Sequence, residues 1–60
     1  MASDAQVNYM EILFQDLGYN REARYAWLTD LYQREIRFLD DLSTKEASMV
    51  IDMLKRQKDE

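Results

Sequence analysis

The stretch LSTKEASMVIDMLKRQKDE, residues 42–60, decides how this chain folds. It opens with Ser43 and, three residues later, Glu46. In this S-x-x-E pattern the serine hydroxyl accepts from the backbone N–H of Glu46, and the glutamate reaches back to the backbone N–H of Ser43. Leu42 ahead of the box and Ala47 behind it stand where a hydrophobic staple forms. At about 100° per residue, Ala47, Val50, Ile51 and Leu54 share one arc while Met49 and Met53 flank it, which predicts an amphipathic helix over residues 44–57. Lys55, Arg56 and Lys58 fall in the last turn and beyond, where each cation complements the negative end of the helix dipole by about 0.3–1 kcal/mol. The dipole and neighbouring acids therefore account for KRQKDE, whereas neither capping nor the central stripe fully accounts for Met49 and Met53.

A helix with one apolar stripe must bury it against other elements, and the upstream sequence supplies two. Ser3 and Gln6 fit a capping box, and Val7, Met10, Leu13, Phe14 and Leu17 lie within one arc, predicting a helix over residues 4–17. Ile12 falls on the opposite side. Gly18 ends this helix, because it takes the left-handed conformation at C′ without a Cβ penalty. Asn20 is a good N-cap for a second helix over residues 21–34. That helix carries two apolar sectors, Ala23, Trp27 and Leu31 in one and Tyr25, Leu28 and Tyr32 in the other, which predicts a central position with Trp27 as the largest core anchor. Between Arg34 and Leu42 the period changes to two, with Ile36 and Phe38 alternating with Glu35 and Arg37 before Asp40-Asp41 interrupts. The reading is an irregular connector over residues 35–43 that tucks Ile36, Phe38 or Leu39 into the core. Continuation of helix two to about Phe38 is the alternative, since no Gly or Pro forces a stop. Residues 1–60 thus read as a single all-α domain, a compact three-helix unit with a short tail at Gln57–Glu60.

At 60 residues, a chain buries only about 60% of the surface it exposes when unfolded. One core of this size yields about 3–5 kcal/mol, so small domains usually add disulfides, a structural metal or association. Cys and His are both absent, which removes the first route and leaves structural zinc without its usual ligands. Association remains, and an apolar content of 47% provides material for it. No apolar run approaches the roughly 18 residues of a membrane span, and the N-terminus lacks the pattern of a signal peptide. No membrane role is expected, and the expected location is the cytoplasm of a bacterial or phage-infected host cell.

Enzymatic function is not expected. The chain has no His to act near neutral pH, no Cys nucleophile and no Gly-rich phosphate loop, and each Ser has a capping or surface explanation. Asp40-Asp41 lacks the spacing of a calcium loop, so no metal or cofactor is expected. The net charge is −4 and the isoelectric point about 4.6, which disfavours a strong nucleic-acid footprint. Residues 1–20 hold Asp4, Glu11 and Asp16 and no basic side chain. Candidate nucleic-acid contacts are Arg21 and Arg24 at the start of helix two, with Lys55 and Arg56 near the end of helix three. A protein partner or self-association fits the composition better. Candidate interface residues are Met49, Met53, Tyr25, Tyr32 and Ile12, because Met and aromatic side chains are enriched at interface cores. The competing explanation is that so small a domain needs these residues merely to close its core.

Three segments also carry a resemblance. LSTKEASMVIDMLKRQ, of the form L-[ST]-x-x-E-A-S-x-x-I-x-x-L, resembles a helical tail found in many bacterial and bacteriophage proteins, often ones that handle DNA. SDAQVNYMEILFQDLGYN resembles the opening that accompanies that tail. LGYNREARYAWLTDLYQREIRFLDDLSTKEASMVI is similar to the C-terminal region of the Mu-like phage regulatory GemA family. The matching positions are mainly core and capping residues, and Gln33 departs from the pattern where a Gly is common. The resemblance implies a phage or mobile-element context and an accessory role in DNA processing or its regulation, with no catalytic or binding residues to transfer. The expected function is a non-enzymatic protein-interaction module. The alternatives are a weak nucleic-acid-binding accessory domain and a small phage effector that binds a host protein.

Overall fold

The computed structural model describes residues 1–59. Its elements are α1 (Asp4–Asp16), α2 (Arg21–Tyr32), a 3-10 turn (Leu39–Asp41) and α3 (Thr44–Asp59). The chain is an all-α three-helix domain, with no strand among the described residues. Each helix starts on the side chain the sequence predicts. Ser3 Oγ accepts from Gln6 N at 3.1 Å and Gln6 Oε1 accepts from Ser3 N at 3.0 Å. Asn20 Oδ1 accepts from Ala23 N at 2.7 Å. Ser43 Oγ accepts from Glu46 N at 3.1 Å, and Glu46 Oε1 accepts from Ser43 N at 2.9 Å. Leu42 and Ala47, the staple pair, are both fully buried.

α1 ends one residue earlier than predicted, with Leu17 as its C-cap and Gly18 at φ +83°. Gly18 N donates to Gln15 O at 3.0 Å and Tyr19 N to Phe14 O at 2.8 Å, the pair of bonds that defines a Schellman motif. The apolar contact expected of that motif is present, with the Tyr19 and Phe14 ring centroids 5.5 Å apart. The second helix stops at Tyr32, not at 34, because Gln33 turns into the left-handed region at φ 54°. The connector accordingly begins at 33, and it is not wholly irregular, since the 3-10 turn forms inside it. Asp41 stabilises that turn: its carboxylate accepts from Arg37 N and Phe38 N at 3.3 Å each. Of the three residues expected to tuck inward, Ile36 and Leu39 enter the core. Phe38, which alternates with Ile36, points outward at 53% exposure because the 3-10 turn breaks the alternation after it. α3 runs on to Asp59, through most of the expected tail; Glu60 lies outside the described residues.

α1 and α3 run parallel. At one end Gln6 Nε2 donates to Thr44 O and Thr44 Oγ1 donates to Met1 O, both at 3.1 Å. At the other, Lys58 Nζ meets Asp16 Oδ2 at 2.8 Å and Tyr19 OH donates to Gln57 Oε1 at 3.2 Å. α2 returns between these ends, from Tyr19 back to the first turn of α3. The predicted central place of helix two is not observed. α1 and α3 approach each other most closely, and the 3-10 turn packs on α1, so α1 is the central element. The largest fully buried side chain is Phe14, not Trp27. Trp27 is half-buried and stands edge-on to Phe14 and Tyr19 at 5.9 and 6.2 Å. Met10, Leu13 and Phe14 of α1 and Ala47, Val50 and Leu54 of α3 form the centre of the core, to which α2 adds Leu28 as its one buried residue.

Candidate interaction surface

The apolar residues left outside the core lie on separate flanks. Met49 is 53% exposed on α3, one turn beyond Glu46, and Met53 one turn further is half-buried against the core. Tyr32 sits beside that first turn, its hydroxyl donating to the Glu46 carbonyl at 3.2 Å. The structure thus brings Tyr32 to the α3 edge that carries Met49 and Met53. Tyr25 lies two turns earlier on α2 and faces the connector instead. It lines an open groove of about 710 Å³ together with Thr29, Arg34 and Ile36. Ile12, 55% exposed, is on the outer side of α1 and joins neither group. Leu31, at 40% exposure, and Phe38 are further large apolar side chains at the surface; the sequence places Leu31 in an apolar sector of helix two and offers Phe38 as one of three residues that could enter the core. The α2 stripe could have warned of Leu31, because a helix apolar on two flanks leaves one of them open when it packs at the periphery.

Polar contacts fix the edge where α2, the connector and α3 meet. Arg34 reaches Glu46 through both prongs of its guanidinium, at 2.7 and 2.9 Å, and lies 5.5 Å above the Tyr32 ring. The Arg34 hydrogen bond, with the Ser43 backbone N–H, holds the Glu46 carboxyl at about 2, well below its ordinary 4.5. Burial, and then the Glu46 charge, push the Tyr32 hydroxyl above its ordinary value. Ile36 N donates to Thr29 Oγ1 at 3.1 Å, tying the connector back to α2.

The four basic candidates come to one end of the domain, since α2 starts where α3 finishes. They are not equivalent there. Arg56 Nη2 pairs with Asp52 at 3.1 Å. The Arg24 guanidinium lies 5.5 Å above the Phe14 ring, and its Nε is buried without a hydrogen-bond partner. Arg21 and Lys55 are exposed. Lys58, absent from that group, is engaged with Asp16. Among the described residues no three Asp, Glu, His or Cys side chains converge as metal ligands, and no helix is long and apolar enough to cross a membrane. No family model matches the chain, and neither the curated proteins nor the solved structures contain a match to it.

Proposed function

We propose that this chain is a non-enzymatic protein-interaction module of a bacterial or phage protein, with Met49, Met53 and Tyr32 at the centre of its contact surface. The observation that carries the reading is Met49, a large flexible side chain 53% exposed on the helix that anchors the core. Methionine adapts to irregular partner surfaces, and Met and aromatic side chains are enriched at the cores of interfaces. The bacterial or phage setting, and an accessory role in DNA processing, rest on the motif resemblance of residues 3–57. The test is light scattering of the free chain together with capture from a bacterial lysate, each run on wild type and on Met49→Lys. Association by either route that the substitution abolishes, at unchanged helicity and melting temperature, supports the reading; equal behaviour of the two chains removes this surface.

A second reading is favoured by the position of Arg21, Arg24, Lys55 and Arg56 at the same end of the domain. This end would contact nucleic-acid phosphates, with Arg21 and Lys55 contributing most because Arg56 is paired and Arg24 is packed on Phe14. Titration of labelled single- and double-stranded DNA at low salt tests it. Binding that weakens steeply with salt and with Arg21→Ala supports it, and no binding at low salt excludes it.

A further inference from the structure

Four independent features single out α2. It gives the core one buried residue, Leu28, where α1 and α3 give three each. Its backbone stands off from both neighbours, while α1 and α3 are in close contact. Its outer flank borders the open groove of Tyr25, Thr29 and Ile36, which is exposed to solvent. It is bracketed by Gly18 and Gln33, the two residues with positive φ among the described residues. Glycine takes that conformation freely, whereas glutamine is strained in it.

Two features of the docked state oppose its persistence. Gln33 is held left-handed, and Arg24 Nε is buried with no partner. Undocking α2 relieves the first and hydrates the second. What holds α2 down is Leu28, the edge-on packing of Trp27 against Phe14 and Tyr19, the Arg24 guanidinium over the Phe14 ring, the Tyr32 hydroxyl on the Glu46 carbonyl and the Thr29 hydroxyl accepting from Ile36 N. The Arg34–Glu46 pair lies beyond Gln33 and stays with the connector. We infer that α2 is a hinged flap, which undocks as a unit about Gly18 and Gln33 while the parallel α1–α3 pair stays folded. Opening bares the part of Phe14 that Trp27 and Arg24 cover in the docked state. The inference stands apart from the interaction reading above, because it concerns the opening of the free chain.

Local openings of this kind appear in native-state amide exchange as segments that exchange at lower free energy and with weaker denaturant dependence than the rest. The experiment is exchange of wild type and Ile51→Val in low urea, read by NMR. Ile51 stands two turns before Lys58 on the side of α3 that meets α1, so its contacts survive the flap's opening. The α2 amides are expected to exchange about tenfold or more faster than those of Met10, Leu13, Val50 and Leu54, with a shallower urea slope. Ile51→Val should accelerate α1 and α3 exchange several-fold and leave α2 unchanged, since only global unfolding breaks that contact. Equal rates and slopes in all three helices, or equal acceleration by Ile51→Val, would overturn the inference.

Discussion

Arg34 and Glu46 meet in a two-pronged ion pair, Nη1 to Oε2 at 2.7 Å and Nη2 to Oε1 at 2.9 Å, that ties the connector to the first turn of α3. The same carboxylate closes the capping box with Ser43, so one side chain starts the helix and anchors the chain segment leading to it. Because the folded state holds Glu46 at about 2 against an ordinary 4.5, its contribution is complete above about pH 4.5 and disappears as pH falls through about 2. Thermal melts across this window should show a falling midpoint. Arg34→Ala should flatten that fall without abolishing it, since the Ser43 N–H still stabilises the charged form. An identical acid slope in the two proteins would show that the pair does not control it.

Leu54 and Leu31 are the same residue type at opposite extremes of burial, fully buried on α3 and 40% exposed on α2. Leu54→Ala removes atoms from the centre of the core and should cost about 2–5 kcal/mol. That approaches the whole stability of a domain this size, about 3–5 kcal/mol, so the variant should be largely unfolded at room temperature. Leu31→Ala should stay within about 0.5 kcal/mol of wild type. Urea titrations followed by far-UV circular dichroism compare the two directly; a large loss from Leu31→Ala would place α2 deeper in the core than the structure does.

What the sequence makes legible follows the reach of each interaction. Ser3, Asn20 and Ser43 are readable as caps because each partner lies within three residues along the chain. The α1 and α3 stripes are readable because one apolar arc leaves one choice of buried face. α2 has two apolar sectors, so its wheel cannot say which flank packs, and the size of Trp27 wrongly suggests a centre that Phe14 occupies. The end of α2 is hidden for a related reason: Gln33 adopts a left-handed conformation that glycine would have announced. Met49 is legible as an outlier from its stripe, and Ile12 likewise. The Arg34–Glu46 pair is not, because capping already explains Glu46 and its ion partner lies beyond any local spacing.

Gly18 isolates a pure backbone effect. A Cβ added there meets nothing within 4 Å, so only its φ of +83° opposes a side chain. Gly18→Ala should therefore cost about 1–2 kcal/mol through left-handed strain alone, softened by the entropy that alanine removes from the unfolded chain. The change should appear in chemical denaturation as a lower midpoint with an unchanged slope. A neutral result would mean that the turn relaxes to another conformation, which loss of the Tyr19 N–H to Phe14 carbonyl bond in amide exchange would reveal.

Met49 and Ile12 are exposed to nearly the same degree, 53% and 55%, on different helices and different sides of the domain. Placing a lysine at either exposed position should alter stability by no more than about 0.5 kcal/mol. Their effects on association should nevertheless diverge. Met49 stands one turn from half-buried Met53 on the α3 edge where the Tyr32 hydroxyl meets the Glu46 carbonyl, so a partner seated on that edge can reach more than one apolar side chain; Ile12 stands alone on the outer face of α1. Single exposed apolar residues are ordinary on protein surfaces, whereas contiguous ones mark contact sites. Met49→Lys should thus weaken association and Ile12→Lys should leave it intact, as read by sedimentation velocity of the free chain and by capture of its partner. The reverse pattern would move the contact surface to α1, and loss of association in both variants would implicate net charge instead of a defined apolar surface.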